Sequence, residues 1–181
     1  MKEVAALAGV SVGTVSNVLA GLPTVTREMR ERVEHAVREL HYQPDQIARS
    51  LKTRQTRTLG MVVSDIVNPF FADVISGAED AAARRGYALS IVNSGDKLEQ
   101  EIRAVEVLRA RRVDGLLVVP SLYRADHRHL LACQDAGVPV VCMDRIPESI
   151  NVDTVCIDNV GSARGAVEHL LALGHKRIAC L

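Results

Sequence analysis

A chain of 181 residues has room for one domain or two small ones, and 48% apolar against 24% charged residues is the balance of a folded soluble protein, which excludes a disordered one. The aromatics are Tyr42, Phe70, Phe71, Tyr87 and Tyr123, so any core is built from Val, Leu, Ile and Ala. Formal net charge is zero, but residues 1–57 carry an excess of Lys and Arg and residues 58–181 an excess of Asp and Glu, so a slightly basic head precedes a slightly acidic body. A basic head points to an anionic partner.

Cys133, Cys142, Cys156 and Cys180 show no CxxC spacing and lie in apolar surroundings, the pattern of buried free thiols in a reducing compartment. Residues 4–26 are uncharged, but Gly9, Ser11, Gly13, Thr14, Ser16 and Asn17 break the apolar run that an export signal needs, and Glu3 spoils a basic start. No other stretch approaches the ~20 apolar residues of a membrane span. A cytoplasmic location is expected.

In chain order, Lys2–Ala8 has helical periodicity, with Val4, Leu7 and Ala8 on one face. Gly9 interrupts it and Ser11 caps a second helix to about Ala20, in which Val15, Val18 and Leu19 share a face. Gly21 and Pro23 end that helix, and Thr26 caps a third, with Glu28 in its first turn and Met29, Val33, Ala36, Val37 and Leu40 along one stripe. Ala5, Gly9 and Val15 meet the steric needs of a helix-turn-helix: a small residue facing the partner helix, a glycine at the turn, and a core aliphatic in the second helix. Asp45–Leu51, after Pro44, reads as a brief helix too short to be stable alone, and residues 52–58 as a basic linker.

Beyond the linker the texture changes. Short aliphatic runs at Leu59–Ser64, Ala88–Asn93, Asp114–Val119 and Pro139–Met143 alternate with helical stretches at Phe70–Arg85, Leu98–Arg111 and His127–Ala136. This alternation predicts βαβ units and a parallel sheet. Val155–Ile157 reads as a further strand, then a helix over Val160–Leu173 and a strand over Arg177–Leu181. The predicted division is 1–44 for the helical domain, 45–58 for hinge and linker, 59–159 for a first α/β lobe, and 160–181 for the start of a second.

The order helix-turn-helix, hinge, βα repeats resembles the lactose-repressor/galactose-repressor family of bacterial transcription regulators. The resemblance rests on Glu3-Val4-Ala5, Ala8-Gly9-Val10-Ser11-Val12-Gly13-Thr14-Val15-Ser16-Asn17-Val18-Leu19, Leu40-His41-Tyr42-Gln43-Pro44-Asp45 and the hinge Ala48-Arg49-Ser50-Leu51-Lys52. In the body it rests on Asn68-Pro69-Phe70-Phe71, Val113-Asp114-Gly115-Leu116-Leu117, and His169-Leu170 with Leu173-Gly174-His175-Lys176-Arg177-Ile178-Ala179. It covers the whole chain but only about the first half of the family pattern, so the expectation is a chain truncated within its effector-binding core.

The resemblance implies an all-α helix-turn-helix head on a periplasmic-binding-protein-like α/β core. The second helix becomes a recognition helix. Val12, Gly13 and Asn17 fall at base-reading positions: Val12 can touch a thymine methyl, Gly13 adds no side chain, and Asn17 can pair with adenine N6/N7. Thr14 and Ser16 are matched to phosphate contacts. Leu51 corresponds to the hinge leucine that wedges into the minor groove, with Arg49 and Lys52 beside it; the alternative is a linker leucine packed on its own domain.

Asn68, Phe70 and Phe71 follow the first core strand and Asp144-Arg145 ends the fourth, at the strand edge where open α/β folds bind ligands. The resemblance implies an effector there, a sugar, with aromatic faces on C–H surfaces and polar groups on hydroxyls. Asn68-Pro69 is also an ordinary helix start and Asp144-Arg145 an ordinary surface pair. Ser64-Asp65-Ile66-Val67-Asn68 holds no phosphate-binding glycines, and His127 and His129, two apart on a helix, suit no metal. No nucleophile–base set is discernible, so neither enzyme nor cofactor is expected. The sequence reads as a repressor, a homodimer on near-palindromic DNA controlled by a small molecule; the alternative is a sugar-binding protein of a transport system.

Overall fold

The computed structural model describes residues 1–42, 55–121 and 126–180. It divides at the linker into two compact units, Met1–Thr56 and Arg57–Leu181. The predicted hinge helix, with Arg49, Leu51 and Lys52, lies outside the described residues.

The first unit holds α1 (Lys2–Ala8), α2 (Val12–Leu19) and α3 (Arg27–Glu39). Gly9 ends α1 in the left-handed conformation at φ 61°, which glycine adopts without strain. The Val10 N–H donates back to Ala5 O at 3.0 Å, closing the turn. Arg32 of α3 braces it from outside, its Nη2 donating to Gly9 O at 3.1 Å. Val4, Ala5, Ala8, Val15, Val18, Val33 and Ala36 form the core. Leu7, expected on the buried face, is 48% exposed, and Ala5 packs inward instead.

The second unit is a five-stranded sheet in the order β2-β1-β3-β4-β5. Its strands are β1 (Thr58–Val63), β2 (Ala88–Asn93), β3 (Gly115–Val118), β4 (Val140–Met143) and β5 (Asp153–Val155), every adjacent pair parallel. The helices are α4 (Pro69–Ala83), α5 (Leu98–Ala110), α6 (Arg128–Asp135) and α7 (Asn159–Ala172). Parallel strands need crossover helices, which bury both faces of the sheet. Alternate residues of β1 accordingly enter two cores: Val62 packs with Leu108, Leu116, Leu130 and Cys142, while Met61 and Val63 pack with Phe71 and Val119. A Cβ on Gly60 would stand 2.8 Å from Leu116 and 2.9 Å from Leu108, so only glycine admits α5 this close to β1.

Three expectations are corrected. The fifth strand covers Asp153–Val155, not Val155–Ile157, because the backbone pairs Asp153 with Val141 and Val155 with Met143. No strand forms over residues 177–180, since the sheet ends at β5 and a strand needs a hydrogen-bonded neighbour; Leu181 lies outside the described residues. Only Cys133 and Cys142 are buried; Cys156 and Cys180 are exposed, one just past the edge strand and the other in the segment without a strand partner. Helix α7 buries no residue. Among the described residues no helix is long and apolar enough to cross a membrane.

Candidate functional site

In the helical unit, Ser11 caps α2 through its Oγ, which accepts from the Thr14 N–H at 3.1 Å. With Val15 and Val18 turned inward, Val12, Gly13 and Asn17 face solvent together, and Thr14 and Ser16 sit half-buried at the flanks. The Thr14 hydroxyl lies 2.9 Å from Ser11 Oγ, which fixes its rotamer. The result is an exposed helix N-terminus with a small side chain near its tip and the Asn17 amide one turn on.

In the α/β unit, Asn68 caps α4, its Oδ1 accepting from the Phe70 N–H at 3.0 Å. Its side-chain amide nitrogen remains a donor toward solvent. Phe70 and Phe71 meet edge to face with centroids 5.0 Å apart. Their environments differ: Phe71 is 4% exposed and belongs to the core, whereas Phe70 is 40% exposed. Both line an apolar groove of about 160 Å³ with Val74, Val119, Met143, Asp144, Val155, Cys156 and Ile157. Of the expected effector residues, then, Phe70, Phe71 and Asp144 come together in the groove, while Asn68 and Arg145 are not part of its lining. The contribution of Val155, Cys156 and Ile157 was not expected; the signal was the apolar run itself, read only as a strand.

Arg145 is held beside the groove. Its Nη1 donates to Asp96 Oδ1 at 2.5 Å and to Pro120 O at 3.0 Å, tying together the ends of β2, β3 and β4. Asp144 takes a left-handed φ of 65°, which turns the chain as it leaves β4. Cys142, one strand position inward from Met143, has its thiol pushed up to about 12 by burial and by the neighbouring Glu101 and Cys156, so it stays protonated.

His127 and His129 are not on different sides of a helix as their spacing suggested. His127 is the N-cap residue of α6, not part of the helix, so the 100° step does not apply to it. Its buried ring lies 3.1 Å from Ser121 O and 3.3 Å from Ser149 Oγ. The His129 ring is 6.1 Å away, centroid to centroid, and faces Glu101. Among the described residues no group of His, Cys, Asp and Glu side chains could hold a metal ion.

The two units thus define a helix-turn-helix head followed by a lobe of the periplasmic-binding-protein fold. Residues 1–45 match the family described as bacterial regulatory proteins, lacI family, and residues 56–181 match the periplasmic binding proteins and sugar binding domain of LacI family. The chain belongs to the LacI family. It is 40% identical over its whole length to the HTH-type transcriptional repressor PurR of Vibrio atlanticus (strain LGP32), of which it covers 54%. Among solved structures it resembles the Lac repressor dimer bound to operator and the anti-inducer ONPF, at 30% identity and TM-score 0.80, over 97% of this chain and 53% of that one. It also resembles the transcriptional regulator CelR–cellobiose complex, at 34% identity and TM-score 0.55, over 98% of this chain and 53% of that one. The chain spans about half the length of the relatives it matches.

Proposed function

We propose that this chain carries the operator-reading head and the first effector-binding lobe of a cytoplasmic transcription repressor that acts as a homodimer on near-palindromic DNA. The carrying observation is the face of α2, where Val12, Gly13 and Asn17 are exposed side by side on a helix end capped by Ser11. Val12 meets a thymine methyl, Asn17 reads adenine N6/N7, and Thr14 and Ser16 take phosphates. Leu51, with Arg49 and Lys52, wedges into the minor groove between the half-sites.

The effector class is a sugar. Supporting it are the half-exposed Phe70 ring, the donors of Asn68 and Arg145, the Asp144 carboxylate, and the cellobiose of the CelR complex. Phe71 forms the floor beneath Phe70. No bond is made or broken; binding energy is spent on changing how the head engages DNA. A solute-binding role in transport would leave the head without a task. Selection of bound duplexes from a random pool by this chain tests the reading: enrichment of one near-palindromic sequence supports it, and recovery of an unenriched pool contradicts it.

A further inference from the structure

The α/β unit gathers six arginines at one edge of its sheet. Every strand is parallel, so each crossover helix runs back and ends where the strands begin. At that amino edge α4 ends in Arg84-Arg85, α5 ends in Arg109, Arg111 and Arg112, and β1 starts from Arg57, all of them exposed. The strand entries are direct neighbours. Ala88 N donates to Arg57 O at 2.8 Å and Asp114 N to Thr58 O at 2.8 Å. Arg57 N donates to Asp114 Oδ2 at 2.9 Å, and its guanidinium stands 5.3 Å from the Tyr87 ring centroid. With adjacent strands ~4.8 Å apart, the three entries span only about 10 Å.

The acids at this edge include Asp80, Asp114, Asp135 and, at the start of β5, Asp153, and Asp114 is engaged with the Arg57 backbone. The opposite edge is mixed: Asp65, Asp96, Asp126 and Asp144 stand there with Lys97, Arg128 and Arg145, and Arg145 and Arg128 pair with Asp96 and Asp126. A basic edge therefore stands out on a lobe whose overall charge is acidic. Cations at helix C-termini also complement the helix dipole, and here α4 and α5 are each followed by an arginine pair. Arg112 even occupies the left-handed position after α5, φ 56°, that Gly86 fills after α4 at φ 72°, a conformation that glycine takes at lower cost.

This is also the edge at which the chain arrives from the head. Only twelve residues, 43–54, separate the described parts of the two units along the chain, so the edge and the helical unit can engage one duplex. We propose that the arginine edge is a second, sequence-independent DNA surface, which meets backbone phosphates of the duplex flanking the bases read by α2. The inference rests on the reading of α2 as a DNA reader. Guanidinium forks suit phosphate oxygens, and each phosphate neutralised releases condensed counterions, so the surface adds affinity and salt dependence without adding specificity.

The test measures binding of the whole chain to a labelled mixed-sequence duplex several helical turns long, across a salt series. Arg84 and Arg111 are exposed and make no ion pair among the described residues. R84Q/R111Q should therefore fold as the parent does, checked by its circular dichroism melt. Each lost phosphate contact flattens the log–log salt slope by about 0.9, so R84Q/R111Q is expected to flatten it by nearly 2, and R84E/R111E to weaken binding further. If the double variant melts early, the single variants are read separately for about 0.9 each. A parent that binds duplex with an unchanged slope in every variant overturns this inference and leaves the reading of α2 intact. A parent that binds no duplex overturns both.

Discussion

His129 Nε2 lies 2.9 Å from Glu101 Oε1, and the Glu101 side chain is fully buried between α5 and α6. The second carboxylate oxygen accepts from the Ser121 N–H at 2.5 Å and from the Ser121 hydroxyl. The carboxylate accepts only, so the imidazole Nε2–H is the donor. One charged group thus joins α5, α6 and the end of β3, and the next residue back, Pro120, takes the hydrogen bond from Arg145. Glu101 supports the backbone on which Arg145 rests.

Glu101→Gln is expected to cost about 3 kcal/mol, since removing one partner of a buried pair strands the other. Burial pushes the Glu101 carboxyl up, but the hydrogen bonds from His129 and Ser121 and the His129 charge outweigh it and hold the group below its ordinary 4.5. A depressed acid stabilises the fold fully above the unfolded value and loses that contribution as pH falls through the folded one. Urea titrations should show this contribution intact at pH 7 and declining below about pH 4.5, with Glu101→Gln lacking that decline. An equal acid dependence in both proteins would contradict the assignment.

The adjacent phenylalanines should separate cleanly. Phe71→Ala removes a core ring and is expected to cost about 3–5 kcal/mol in urea unfolding, whereas Phe70→Ala, already half in water, should cost about 1 kcal/mol. Equal costs would mean that Phe70 is structural and not held open for a ligand.

Much of this was legible from residue pattern alone. β-branched runs placed the first four strands to within a residue or two, because a parallel strand buried on both faces reads as a continuous apolar run. Ser11 and Thr26 announced their caps by residue type. The fifth strand was misplaced because Val155-Cys156-Ile157 is the more apolar run, whereas pairing with β4 selects Asp153–Val155 and leaves Cys156 and Ile157 to the groove. The Arg145–Asp96 and Glu101–His129 contacts join residues far apart in the chain, and no local spacing encodes them. His127 was misjudged because a helical step was applied to a cap.

Helix α7 exposes Val160 at 71% and Leu171 at 54%, and Leu173 just beyond it at 64%. A contiguous apolar face of this kind promotes association. Sedimentation velocity on the chain should show mass rising with concentration, and V160K/L171K should reduce that rise. A concentration-independent monomer would show that the face is not adhesive.

The central claim is that the exposed face of α2 reads base edges, and Asn17→Ala tests it most directly. Binding is measured to the selected near-palindromic duplex and to a set carrying each single base-pair change. The account predicts that Asn17→Ala loses about 1–3 kcal/mol of discrimination at one base pair per half-site and keeps the rest of the preference. An equal loss of affinity on every duplex, or none on any, would contradict it.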